Sequence, residues 1–535
     1  MAEYLEQNPQ ILLLGETTKN KYGQYFTPEI VAEFMVSLSD KNLNDKILEP
    51  SCGEGVFLDV LADRGFKNVI GYEIDKELSK EFTNVIYKSF VTEDFKEKFD
   101  LIIGNPPYIR WKNLEEELKQ ELSDNRLWKK YFNSLCDYLY IFILKSIELL
   151  NDEGELIFIC PEYWMSTTHS LSLRNYMAEN GYFESIFHFN ETPIFNNATV
   201  STVVFKYIKS QQKKPNIKIA KYYKNKKLTK KILDDLLKGN KANEDIDSFS
   251  VPPFQKNERW LLTKKNEIEE IVKFENACKK TLTSDLFGFS NTYNTISEIC
   301  DIGNGMVSGL DKTFQLNGQQ LSPIERNNTI KVIKAKDLEP YTYNHITKYI
   351  FLNNVKDEDE LKTNYPIFYK KLSESKDDLE KRYQYNRNIN YWEWVFLRNY
   401  NLFRSEKQRI FVPCKERISN KDYFRFSLVE PDIFPTQDVT AIFMKDGVLE
   451  DIYYVLAFLN NHRVFNWLKS KGIVKGNIVE FSERPISSIP FRKIDFSDEN
   501  EVSIYEEISR LTKYYIENRE EIILDRINDL FDKIL

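Results

Sequence analysis

The chain of 535 residues contains no run of about 18 apolar residues, so no segment reads as a membrane-crossing helix. Its first ten residues, MAEYLEQNPQ, lack the basic and apolar regions of a secretory signal. Six cysteines form no Cys-x-x-Cys pair and there are only four histidines, which argues against a disulfide framework or a zinc site and for a reducing cytosol. Gly-x-x-x-x-Gly-Lys-Ser/Thr is absent, which excludes the phosphate loop of a nucleotide triphosphatase. Pro431-Asp432 is the only Pro-Asp, and no Glu-x-Lys follows it, so a fused nuclease of that metal-dependent type is not expected. No internal repeat and no low-complexity tract are evident. Excess positive charge is also missing: the formal net charge is −8. Binding to a polyanion depends on local fields and not on the sum, so this is a weak veto.

What is present suits a globular protein of two or three domains, 42% hydrophobic and 29% charged. Thr27-Pro28 reads as a helix start, a capping hydroxyl followed by proline in the first turn, with Ile30, Val31, Phe34, Met35 and Leu38 at helical spacing. Strands are predicted at 46–48, 69–72, 101–104, 155–160, 185–189 and 201–207, with helices at 57–64 and 135–150 among them. That alternation predicts a doubly wound α/β domain. From residue 206 to 231 there are eleven lysines and no acidic residue, either a nucleic-acid surface or a solvated loop. The expected divisions are a catalytic domain over 1–210, a basic connector over 211–262, a mixed domain over 263–495 and a helical end over 496–535.

Between a predicted strand and helix, Glu49-Pro50-Ser51-Cys52-Gly53-Glu54-Gly55 makes a turn where backbone can approach a ligand. The full Gly-x-Gly-x-x-Gly of a dinucleotide loop is missing, and leading Glu49 disfavours phosphate. A carboxylate there suits a cation, such as the amino and sulfonium end of S-adenosylmethionine. Glu73-Ile74 closes the next strand, where a carboxylate can accept from ribose hydroxyls. Asp94-Phe95 is read as the contact to the cofactor's adenine, Asp94 accepting from the amino group and Phe95 packing on the ring.

The sharpest signal is Asn105-Pro106-Pro107-Tyr108, which stops a strand abruptly at the end where open sheets bind ligands. The amino nitrogen of adenine is a poor nucleophile because its lone pair is spread into the ring. Two acceptors aimed at its hydrogens, the Asn105 side chain and the Pro106 carbonyl, would localise that pair, while Tyr108 offers a ring for stacking.

On these motifs the chain resembles the gamma-class DNA adenine-N6 methyltransferases, strongly over 21–207 and loosely beyond. The resemblance implies a Rossmann-like catalytic domain followed by a mixed α+β target-recognition domain, S-adenosylmethionine as cofactor and double-stranded DNA as partner. A cytoplasmic, nucleoid-associated place and a separate cognate restriction endonuclease would accompany them. It also implies that Tyr22-Gly23-Gln24-Tyr25-Phe26-Thr27-Pro28 covers the cofactor, with Tyr25 and Thr27 in contact. Glu49, Ser51, Gly53 and Gly55 would take the methionine end, and Phe142, in the helix begun by Asp137-Tyr138, would lie near the cofactor. In Pro193-Ile194-Phe195-Asn196-Asn197, Phe195 would stack on an extruded base, core packing being the alternative reading. Cys52 replaces a smaller residue of many relatives and reads as a buried thiol without redox chemistry.

In the second half, the turn 302–314, the segment 456–461 and the segment 487–491 resemble scaffold motifs of specificity domains. Between them Arg382, Gln384, Asn386, Arg387 and Asn388 are of the types that read base edges or bind phosphate. Arg382 and Arg387 are the candidate DNA contacts; an aromatic core with exposed charges is the alternative, and Trp392 and Trp394 read as core. Other acceptors of the methyl group remain open: cytosine N4, RNA, or a protein glutamine. So does a non-catalytic DNA-binding module. No metal is expected.

Overall fold

The computed structural model describes residues 25–77, 83–195, 201–212, 214–224, 226–240, 242–279, 293–385, 387–418, 421–475 and 478–535. Tyr22, Gly23, Gln24, Asn196, Asn197, Asn386 and Lys213 of the sequence motifs lie outside these. The chain divides into two compact units, one reaching Lys265 and one from Asn266 to Leu535.

Among the described residues the first unit opens with α1 (Glu29–Ser37). β1 (Lys46–Glu49), α2 (Val56–Asp63), β2 (Asn68–Glu73), β3 (Val85–Tyr87) and β4 (Phe99–Gly104) follow. Next come α3 (Glu116–Asp124), α4 (Arg126–Tyr131), α5 (Leu139–Leu149), β5 (Leu150–Pro161) and α6 (Leu171–Asn180). β6 (Gly181–His188), β7 (Thr202–Lys209), β8 (Ile217–Tyr222), α7 (Lys230–Lys238) and β9 (Ile246–Val251) complete it. All nine strands join one sheet in the order β3-β2-β1-β4-β5-β7-β6-β8-β9. β3 to β5 run parallel, and β7 enters antiparallel between β5 and β6. The central strands are buried and largely apolar over 101–104, 154–161 and 202–208, as strands covered on both faces must be. The sheet reverses its winding between β1 and β4, which puts Glu49 and Asn105 side by side at the carboxyl edge.

The doubly wound fold is as expected, but the division at 210 is not. Residues 217–251 supply β8 and β9, with β8 paired along β6 and β9 along β8. The lysine-rich run therefore passes in large part through two interior strands of the sheet, β7 and β8, with β9 outside them. Buried Lys206 pairs with Asp40, Glu155 and Glu184, and Lys209 donates to the Leu150 carbonyl. Lys224 pairs with Asp245.

The second unit has two cores. One packs the helix Ile452–Leu459 against Glu499–Asn518 and Ile522–Phe531. The expected helical end over 496–535 thus belongs to this unit's interior packing. The other core gathers Phe314, Tyr349, Phe368, Trp392 and Trp394, the Trp394 indole donating to the Ile350 carbonyl at 2.9 Å. Four-stranded sheets run through both.

Candidate methyl-transfer site

A cleft opens at the carboxyl edge of the sheet over β1, β2 and β4. Gly53 and Gly55 both take positive φ, +53° and +82°, so the chain turns sharply from β1 into α2. The turn delivers the Gly53 amide to Glu73 Oε2 at 2.8 Å, while Glu73 Oε1 accepts from the Asp75 amide at 2.9 Å. Glu73 is thereby fixed in the cleft wall beside Ile74. Burial raises its pKa in spite of these amides.

Glu49 is 1% exposed. Burial, then the neighbouring charges of Glu73 and Asp59, push its carboxyl well above the usual range. Its Oε2 is buried without a hydrogen-bond partner among the described residues. Such an orphan is costly unless a ligand completes it. A cation answers both the charge and the missing donor, so the residues present fit the amino-acid end of S-adenosylmethionine. Ser51 lines the same wall and donates to the Asn105 carbonyl at 3.2 Å. Cys52 is buried beneath the turn, its thiol pKa raised first by burial, as a structural thiol requires.

The opposite wall corrects one expectation. The cleft is lined there by Ser89, Phe90, Leu118, Tyr138 and Phe142, and not by Asp94 or Phe95. Asp94 is exposed, and Phe95 packs sideways on Tyr72, Phe90 and Phe99. Ser89-Phe90 comes two residues after β3 and so reaches the cleft first. β3 has only three residues, too short to betray itself by alternation.

Asn105 is oriented from the N-terminal segment. Its Nδ2 donates to the Tyr25 carbonyl at 2.6 Å and to Thr27 Oγ1 at 3.1 Å. The Thr27 hydroxyl therefore does not cap α1, whose cap residue is Pro28 and receives no side-chain bond. A flipped amide would face the Tyr25 carbonyl with a second carbonyl, so Oδ1 is left as acceptor. In this state Oδ1 shares the single proton of the Tyr108 hydroxyl with Ile159 O, the latter at 2.9 Å. The Pro106 carbonyl receives no hydrogen bond among the described residues.

The aromatic contacts differ from a ready slot. Tyr25 stacks on Tyr108 with ring centroids 5.5 Å apart and an interplanar angle of 17°. Phe195 is 5% exposed, 5.7 Å from Tyr25 and edge-on to Tyr108 at 6.4 Å. The face of Tyr108 that a base would use is thus covered by Tyr25. Sequence alone read Tyr25 as a cofactor contact; it lines the cleft as well.

In the second unit the glycine turn is scaffold. A Cβ on Gly305 would meet the Thr436 carbonyl at 2.0 Å, and Gly309 sits at φ +88° against Val395 and Arg382. Asn460 brackets the Phe426 main chain, and Ile489 O accepts from the Ile296 amide. Arg382 does not fit the DNA contact expected of it. Its guanidinium donates to the carbonyls of Ser308, Asn390, Tyr391 and Glu393, and burial lowers its pKa to about 10. Arg387 is exposed and lies over the Phe396 ring at 4.1 Å. Beside it stand Tyr383 and Tyr385, 69% and 41% exposed, which the composition of the segment hinted at without singling out. Among the described residues no group of three or more potential ligands could hold a metal, and no helix is long and apolar enough to cross a membrane.

Residues 29–195 match the family model of the Eco57I restriction-modification methylases. The chain is 45% identical to the type II methyltransferase M.HindII of Haemophilus influenzae, over 97% of this chain and 99% of that one. It is 43% identical to M.HincII of the same species, with the same coverage. In fold it is similar to the type IIL restriction-modification enzyme MmeI, solved with DNA: TM-score 0.61, 11% identity, 95% of this chain and 71% of that one.

Proposed function

The chain belongs to the type II methyltransferases, DNA-modifying enzymes of restriction-modification systems, and we propose that it methylates N6 of an adenine extruded from double-stranded DNA, using S-adenosylmethionine. The observation that carries this reading is the fixed Asn105 amide: two acceptors from Tyr25 and Thr27 hold its nitrogen and leave its oxygen to receive.

S-adenosylmethionine, when bound, supplies an electrophilic methyl group. Glu49 would hold its amino-acid end and Glu73 its ribose hydroxyls, with Gly53, Gly55 and Ser51 shaping that wall and Ile74 and Phe142 flanking the ring. Asn105 Oδ1 and the Pro106 carbonyl would accept the two hydrogens of the target amino group and favour a tetrahedral nitrogen. No strong base is required, because the proton becomes acidic once nitrogen is methylated. The Tyr108 hydroxyl must release Oδ1, and Tyr25 must leave the Tyr108 face, before a base can stack there; Phe195 would then close on its edge. Arg387 with Tyr383 and Tyr385 is the proposed DNA-facing group of the second unit. A cognate endonuclease on another chain and a cytoplasmic setting complete the proposal.

The test is Asn105→Ala under single-turnover conditions. Losing one preorganised polar group should cut methyl transfer by about 10²–10³. Cofactor and DNA affinity should persist, the signature of a transition-state contact. Normal turnover in Asn105→Ala would exclude the assignment.

A further inference from the structure

The two ends of the cleft differ in chemistry. Glu49 and Glu73 mark one; Phe90, Leu118 and Phe142 make the other an apolar slot for a flat ring. The hydroxyls at that apolar end belong to Ser89 and Tyr138, and Ser89 is not left to choose its own role. Its Oγ donates to Glu121 Oε2 at 2.9 Å. Glu121 stands one turn along α3 from Leu118, so one helix face supplies both the apolar wall and the carboxylate.

We propose that Ser89 and Glu121 together read the exocyclic 6-amino group of the cofactor's adenine. This rests on the cofactor reading given above. A serine hydroxyl alone can donate or accept and so tells an amino group from a carbonyl poorly. Once its proton is committed to a carboxylate, only lone pairs face the cleft. The pair then accepts from an amino group and opposes a 6-oxo group, lone pair against lone pair. The loop after β3 provides no carboxylate of its own at this point; Asp94, the acidic residue expected to do this, is outside the cleft. Helix α3 makes up the difference from 32 residues away in sequence.

The test is calorimetric titration of the full-length protein with S-adenosylhomocysteine and with S-inosylhomocysteine, its 6-oxo counterpart. The wild type should prefer the amino compound by about tenfold or more, the scale of exchanging a hydrogen bond for two opposed acceptors. In Glu121→Gln the amide can donate to Ser89 Oγ and turn the hydroxyl proton outward, so the preference should fall to within about threefold. Ser89→Ala, on a different element, should lose the preference too. Undiminished binding of the 6-oxo compound shows that the variants are folded. Retained discrimination in both variants overturns the proposal, and so does an equal loss for both compounds, the mark of a merely structural role. A wild type that binds neither compound overturns the cofactor reading itself, and this inference with it.

Discussion

Glu49 illustrates how burial decides chemistry at a single residue. Its carboxyl, raised by desolvation and by Glu73, holds its proton in the free protein well above the ordinary carboxylate range. A folded group with a raised pKa binds more protons than the unfolded chain, so its share of ligand-free stability is full below about 4.3 and is lost as pH rises through the folded value. Pairing with a cationic ligand needs the ionised form, so binding must expel the proton and affinity must rise with pH through that same window. Titrations in buffers of different ionisation enthalpy should show proton release with S-adenosylmethionine, and Glu49→Gln should abolish it. Buffer-independent heats for the wild type would contradict the role. The two arginines separate by the same logic. Arg382→Ala strands four carbonyls and should cost about 2–3 kcal/mol of stability, read as a lowered denaturation midpoint. Arg387→Ala should leave that midpoint alone and weaken DNA binding with a flatter salt dependence. Glu49 and Asn105 could be placed at strand ends from sequence because a proline follows each, and Glu73 because it closes the next apolar run after the glycine turn. Ser89 and the bond between Thr27 and Asn105 could not: a threonine before proline looks like a local cap, and its partner Asn105 is 78 residues distant.

At the scale of elements, α5 ties the cleft's apolar wall in place through one buried lysine. Lys145 Nζ donates to the carbonyls of Phe90, Val91 and Glu93 at 2.7, 2.9 and 2.6 Å. Burial lowers its pKa to about 8, although Glu93, Asp94 and Glu148 oppose the shift. Lys145→Met leaves those carbonyls without a donor and should cost about 2–3 kcal/mol. Because Phe90 moves with its carbonyl, cofactor affinity should fall as well; a variant that loses stability but binds S-adenosylhomocysteine normally would show that α5 does not set the wall. Between about 8 and the unfolded lysine's pKa of about 10.4 the unfolded chain binds more protons, so this group's contribution to stability rises with pH there. The long strands of the sheet were legible as apolar runs. β8 was not, because buried Ile217, Ile219 and Ala220 alternate with Lys218 and Lys221, and lysine density hides the alternation.

Across the whole molecule, the first unit runs to Lys265 because β8 and β9 extend the sheet from β6. A fragment of residues 1–265 should unfold cooperatively by circular dichroism. One ending at 210 should expose the β6 edge and aggregate; equal behaviour of the two would remove β8 and β9 from the structural unit. The second unit's lack of strand–helix alternation hid its two cores from sequence reading, since short strands paired across more than a hundred residues leave no local period. The central claim is the identity of the methylated atom. The most direct measurement is to incubate unmethylated double-stranded DNA with the protein and labelled S-adenosylmethionine, digest it to nucleosides and identify the labelled one by mass spectrometry. N6-methyladenine, formed about 10²–10³ times more slowly with Asn105→Ala, is the result predicted here; label on cytosine N4, or none on DNA, would contradict it.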